Sequence, residues 1–91
     1  NELMPKELLN GKSRLFSTIT IEPGCSIGFH THEKECEIFY VIEGTLIYNE
    51  NNDNEYTINV GDSVLNENMS GHSVRNESNC KAVILALILL A

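Results

Sequence analysis

Three histidines and one glutamate are the residues best suited to do chemistry in this 91-residue chain. Two of the histidines stand as His30-Thr31-His32 within a stretch, 26–32, that reads as a β-strand. Residues two apart on a strand point to the same side, so both imidazoles share one face and Thr31 takes the other. Glu37 follows five positions later, past the charged turn Glu33-Lys34-Glu35 and early in the next strand. If those two strands pair as a hairpin, its carboxylate swings toward the same face. His72 opens a later strand, and closure of a barrel would bring it opposite the pair. Three neutral imidazoles and a carboxylate suit one divalent first-row transition ion, Mn, Fe, Co, Ni, Cu or Zn. Such a site leaves coordination positions open for catalysis or for chelating a substrate. Each residue alone has a plainer reading. His-x-His is common on solvated strand faces, Glu37 by itself is a surface charge, and His72 is a polar-loop residue. Their joint placement is what carries the metal assignment.

Holding four such groups together requires a set of strands that closes on itself. Residues 14–22 alternate and are rich in Ile, Thr and Phe, and Pro23-Gly24 ends them. Further strands are expected at 26–32, 36–43, 45–49, 56–60, 63–66, 72–76 and 81–90. Gly44 and Gly61-Asp62 break the run, and 50–54 forms an Asn-rich hairpin tip, since Asn and Asp tolerate left-handed backbone. Short strands at this spacing predict an all-β sandwich or barrel. The first dozen residues hold one helical turn at most, with Pro5 at its start and Gly11 past its end. The last strand is apolar on both faces, whereas a strand with one wet face alternates. It is therefore central in the domain or covered by a partner subunit, and a homodimer is expected.

Composition narrows the partners. Six Lys and Arg against thirteen Asp and Glu give a net charge of −7, which argues against nucleic acid and anionic membrane. The longest apolar run, 82–91, is ten residues, half of the ~20 that a membrane span requires. The length suits one domain, 1–91. Neither a basic n-region nor an apolar h-region follows Asn1, so no secretory leader is expected. Cys25, Cys36 and Cys80 are odd in number and widely spaced, which reads as reduced thiols in a cytoplasm.

The pattern Gly24-x5-His30-x-His32-x4-Glu37-x6-Gly44 resembles the first motif of the cupin family at every defining position. Gly61-Asp62-x9-His72-x3-Asn76 is similar to the second. The two motifs occupy 24–44 and 61–76, and the sixteen residues between them are near the short end for that family. The second motif departs from pattern at Glu67, where the family has Pro, and at Met69, where it has Gly. Those positions shape the turn before the histidine and bind no metal. The resemblance implies a cupin-type double-stranded β-helix, a jelly-roll barrel, with His30, His32, Glu37 and His72 as ligands of one divalent metal inside it. Every histidine of the chain falls on a ligand position. Asn76 would be a turn-bonding or supporting residue rather than a ligand.

Strand parity assigns the neighbours. Phe39 and Val41 share the side of Glu37, and Val74 that of His72, so they face the interior. Ile38, Tyr40, Ile42 and Cys36 face outward, toward solvent or a dimer contact. Cys25 reads as a small buried residue. Tyr48, Tyr56 and Asn66 are candidates for pocket polarity, Arg14 for a place at the barrel mouth, and Arg75 points away from the site. A dication with one carboxylate and three neutral imidazoles carries a charge of about +1, which favours a small anionic ligand. A small organic acid or oxygenated metabolite fits better than a sugar phosphate, because the chain has few cations to hold a phosphate. The resemblance offers dioxygenase, isomerase, decarboxylase and lyase chemistries, and fold and ligands do not choose among them. A non-catalytic ligand-binding module and a dimerising structural domain stapled by its metal are the alternatives. Because imidazole must be deprotonated to bind metal, metal content measured after dialysis should fall as pH drops through ~6.5. Retention unchanged from about pH 7.5 to about pH 4.5 would count against imidazole ligation.

Overall fold

A computed structural model describes residues 3, 13–31, 34–52, 54–67 and 71–90. These form eight strands: β1 (Ser13–Ile21), β2 (Ser26–Thr31), β3 (Glu35–Glu43), β4 (Thr45–Glu50), β5 (Asn54–Asn59), β6 (Ser63–Asn66), β7 (Gly71–Arg75) and β8 (Ala82–Leu90). No helix occurs among the described residues. The helical turn expected between Pro5 and Gly11, the expected metal ligand His32, Met69 and the side chain of Arg14 lie outside them. All strand pairs are antiparallel, in two four-stranded sheets of order β1-β8-β3-β6 and β2-β7-β4-β5. Consecutive strands thus alternate between sheets except at the β4–β5 hairpin, which is the jelly-roll arrangement.

The local reasons are those the residue pattern announces. In β3 the inward positions Glu37, Phe39 and Val41 are buried, while Tyr40 and Ile42 are exposed. Asn51 and Asn52 turn the β4–β5 hairpin with φ of 56° and 60°, and Tyr48 pairs with Tyr56 behind them. The inner faces of both sheets meet in a core that includes Ile21, Phe39, Val41, Leu46, Ile58, Val74 and Ile84. β8 is an interior strand, bonded to β1 on one side and β3 on the other. Its inner face alternates Ala82, Ile84, Ala86 and Ile88, all buried, and its outer residues Val83, Leu85 and Leu87 are half-buried. β8 is thus central in its sheet, and its apolar outer face stays partly open.

Two expectations are corrected. β2 and β3 do not pair as a hairpin: the chain crosses from one sheet to the other between them, so β2 bonds to β7 and β3 to β6 and β8. Cys25 is exposed, not buried. It closes the Pro23-Gly24 turn, where its backbone is what the fold uses: its N–H donates to the Glu22 carbonyl at 3.0 Å and its carbonyl accepts from Asn76 N–H at 2.9 Å.

Gly44, between β3 and β4, has φ +82°, and a Cβ there would come 2.7 Å from the Lys81 carbonyl oxygen and 2.9 Å from Ala82 Cα. Gly24 has the same φ but open space around it. Gly24→Ala should therefore cost only the backbone strain, about 1–2 kcal/mol. Gly44→Ala should cost clearly more, because backbone must also move. Denaturant midpoints of the two variants check this, and equal losses would show that Gly44 is not sterically required.

Candidate metal centre

The site is built where the two sheets face each other. β2 carries a bulge: Ile27 pairs with Val74 and His30 with His72, so three steps on β2 match two on β7. The extra residue lets both Ile27 and His30 face the interior, as a bulge re-aims the side chains that follow it. It also leaves the Phe29 ring over Gly71, where a Cβ would overlap it. Within the bulge, the Gly28 carbonyl lies 2.8 Å from His30 Nδ1. A carbonyl can only accept, so Nδ1 carries a proton, and in the neutral ring His30 Nε2 presents a lone pair to the interior. His72 is beside His30 on the adjacent strand rather than opposite it. The residue opposite is Glu37, which reaches across from β3 in the other sheet.

His72 is fully buried and Glu37 is 4% exposed. Glu37 Oε1 lies 2.8 Å from His72 Nε2 and 3.3 Å from His30 Nε2, and the two ring nitrogens are 3.0 Å apart. Three ligand-type atoms of different chain segments therefore converge on one point. Bonds of about 2.1 Å to a common cation would hold such atoms about 3.0 Å apart at right angles and about 3.4 Å apart at tetrahedral angles. The observed spacings of 2.8–3.3 Å fit one face of a first-row metal's coordination sphere.

The surroundings hold His72 firmly. Phe39 stacks on its ring, with centroids 4.9 Å apart and planes 9° off parallel. The Tyr48 hydroxyl is 3.1 Å from His72 Nδ1. Burial, reinforced by nearby Tyr56, Glu50 and Glu37, pushes the Tyr48 phenol well above its usual range, so it stays protonated. Asn66 pairs with Glu37 across the β3–β6 ladder, is 1% exposed, and neither of its side-chain polar atoms has a hydrogen-bond partner.

Other sequence candidates fall outside the site. Asn76 is a turn-bonding residue: its Nδ2 donates to the carbonyls of Ile21 and Cys80, both at 2.8 Å, and its Oδ1 accepts from Ser78. Arg75 lies on the outer side, its guanidinium donating to Glu55 at 2.6 and 3.0 Å and to Glu77 at 2.6 Å. Tyr56 is exposed. The Gly28 carbonyl was not foreseen as part of the site. Its signal was a glycine inside a strand pattern, which marks a bulge.

A cupin-domain family model matches residues 17–88. This chain belongs to the cupin family. The cupin is 35% identical over 88 residues to the oxalate-binding protein of Thermotoga maritima, covering 97% of this chain and 72% of that one. Its fold matches the crystal structure of a predicted oxalate decarboxylase from Thermotoga maritima with a TM-score of 0.95 and 34% identity, over 99% of this chain and 77% of that one. A cupin barrel protein from Salinispora arenicola matches with a TM-score of 0.84 and 26% identity, over 100% of this chain and 74% of that one. The cupin's His–Glu cluster is compatible with the divalent metal that such proteins hold.

Proposed function

We propose that this cupin binds one divalent first-row transition ion through His30, His32, Glu37 and His72 and uses it to capture a small organic dianion of the oxalate kind. The observation that carries the reading is the mutual 2.8–3.3 Å spacing of His30 Nε2, Glu37 Oε1 and His72 Nε2 inside the barrel. The ligand class is supported by the oxalate-binding relative and by charge. With neutral imidazoles, a dication and one carboxylate leave about +1 between the two sheets, where burial makes electrostatic attraction strong. Among the described cations, Arg75 is tied to Glu55 and Glu77 on the outer side, so the metal itself is left to meet the anion's charge. The metal, when bound, supplies open coordination positions and a Lewis acid.

The test starts with elemental analysis of protein purified without added metal. The metal-free protein is then loaded with Mn(II), and oxalate is titrated into both forms by calorimetry while carbon dioxide and formate are assayed. Oxalate heat in the loaded form alone is the expected result. Product formation would add turnover to the same site, and equal affinity with and without metal would overturn the reading. His30→Ala and His32→Ala should each lose most bound metal while keeping a β-rich circular dichroism spectrum. Unaltered metal content in both would remove the ligand assignment.

A homodimer is the second part of the reading. The outer face of the β1-β8-β3-β6 sheet exposes Tyr40 at 44% and Leu65 at 50%, beside Leu89 and the half-buried Leu85 and Leu87. An exposed apolar face of this kind can pair with its own copy about a two-fold axis. Light scattering should give twice the chain mass for the natural sequence and the single mass for Leu85→Glu. A monomeric natural chain at micromolar concentration would refute it.

A further inference from the structure

The proton arrangement around His72 points to two residues behind it. His30 Nδ1 donates to the Gly28 carbonyl at 2.8 Å, so in the neutral ring His30 Nε2 is a lone pair. That lone pair lies 3.0 Å from His72 Nε2, and Glu37 Oε1 lies 2.8 Å from the same nitrogen. Two lone pairs at that separation repel, so His72 Nε2 carries the hydrogen, directed at Glu37 and His30. In the neutral ring Nδ1 is then an acceptor, and it receives the Tyr48 O–H at 3.1 Å.

A cation bound to Nε2 reverses this order. The nitrogen must offer its lone pair, so the ring hydrogen moves to Nδ1; one proton leaves Nε2, one arrives at Nδ1, and the ring charge is unchanged. Tyr48 must then accept from Nδ1, and its own O–H must find another acceptor. The hydroxyl cannot turn to water, because Tyr48 is 1% exposed. The side chain beside it is Asn66, whose amide already draws the Tyr48 phenol down slightly against the larger effect of burial. Asn66 is also 1% exposed, stands across the ladder from Glu37, and has both amide atoms unpartnered. A buried amide left unpaired costs ~1–3 kcal/mol, which a bond from Tyr48 would recover. A half-turn of the amide presents its oxygen.

We propose that Tyr48 and Asn66 are positioning residues for the cation: in the loaded protein His72 Nδ1–H donates to the Tyr48 oxygen and Tyr48 O–H donates to Asn66 Oδ1. This rests on His72 being a metal ligand. Outer hydrogen bonds of this kind fix a ligating imidazole's tautomer and typically change metal affinity 10- to 100-fold, on the order of magnitude seen when they are removed.

The test uses Zn(II) as probe. Its dissociation constant is measured by competition with a chelator, and His72 is observed by 15N NMR, for the natural chain, Asn66→Leu, Asn66→Ala and Tyr48→Phe. Loaded natural protein should show a protonated Nδ1 at His72. Each variant should weaken Zn(II) by roughly 10- to 100-fold, and Tyr48→Phe combined with Asn66→Leu should weaken it no further than one alone. Asn66→Leu should leave the cation-free melting temperature equal or higher, since neither Asn66 amide atom makes a well-formed hydrogen bond there. A purely structural role predicts the opposite: lower cation-free stability with unchanged Zn(II) affinity, and that result in either Asn66 variant overturns the proposal. Failure of the natural chain to bind Zn(II) would instead bring down the metal reading beneath it.

Discussion

The structure turns on a carboxylate taken out of water. Glu37 stands 4% exposed between two sheets, beside the apolar core and the buried His72 and Asn66. Burying a charge without a partner is prohibitively costly, and removing one member of a buried pair costs several kcal/mol, on the order of 3–5. His72 Nε2 answers that carboxylate from the opposite sheet at 2.8 Å, with the His30 ring beside it. The site is thus a polar seam that fastens one sheet to the other, as well as a candidate metal centre.

Several features of the fold make sense as support for that seam. The bulge on β2 aligns His30 with His72 and uses the Gly28 carbonyl to aim the ring. Phe39, two residues on from Glu37, covers the face of His72. Alternating Ala and Ile on the inner side of β8 fill the opposing layer without crowding it. Asn76 ties β7 to the turn at Cys80 and to the end of β1, holding the strand that carries His72. Each support is an ordinary packing or hydrogen-bonding device, and together they leave the ligand atoms little freedom. A preorganised donor set of this kind favours tight metal capture, because little ordering entropy remains to be lost on binding.

The barrel also separates two electrostatic regions. Outside, the excess of acid side chains gives the chain its net charge of −7, and Arg75 is spent on Glu55 and Glu77. Inside, the described titratable groups that are buried are Glu37, His72 and Tyr48. The anion proposed above would gain nothing from that surface field, and its attraction would have to come from the proposed cation.

The positions and inward sides of the strands were legible in the residues themselves. Period-two alternation in 37–41 placed Glu37, Phe39 and Val41 inside, and Asn51-Asn52 marked the hairpin tip, because facing and turn geometry are local properties of neighbouring residues. The motif spacing likewise gathered His30, Glu37 and His72 before any coordinates. Strand partnership was not legible: β2 joins β7 and faces β3 instead of pairing with it, since alternation says which side a residue takes but not which strand lies beside it. The bulge at Gly28-Phe29, the Tyr48–His72 contact and the stranded amide of Asn66 arise only when segments tens of residues apart close into one barrel. Local chemistry thus singled out candidate ligands, and long-range closure decided the distances among His30, Glu37 and His72 and what stands behind them.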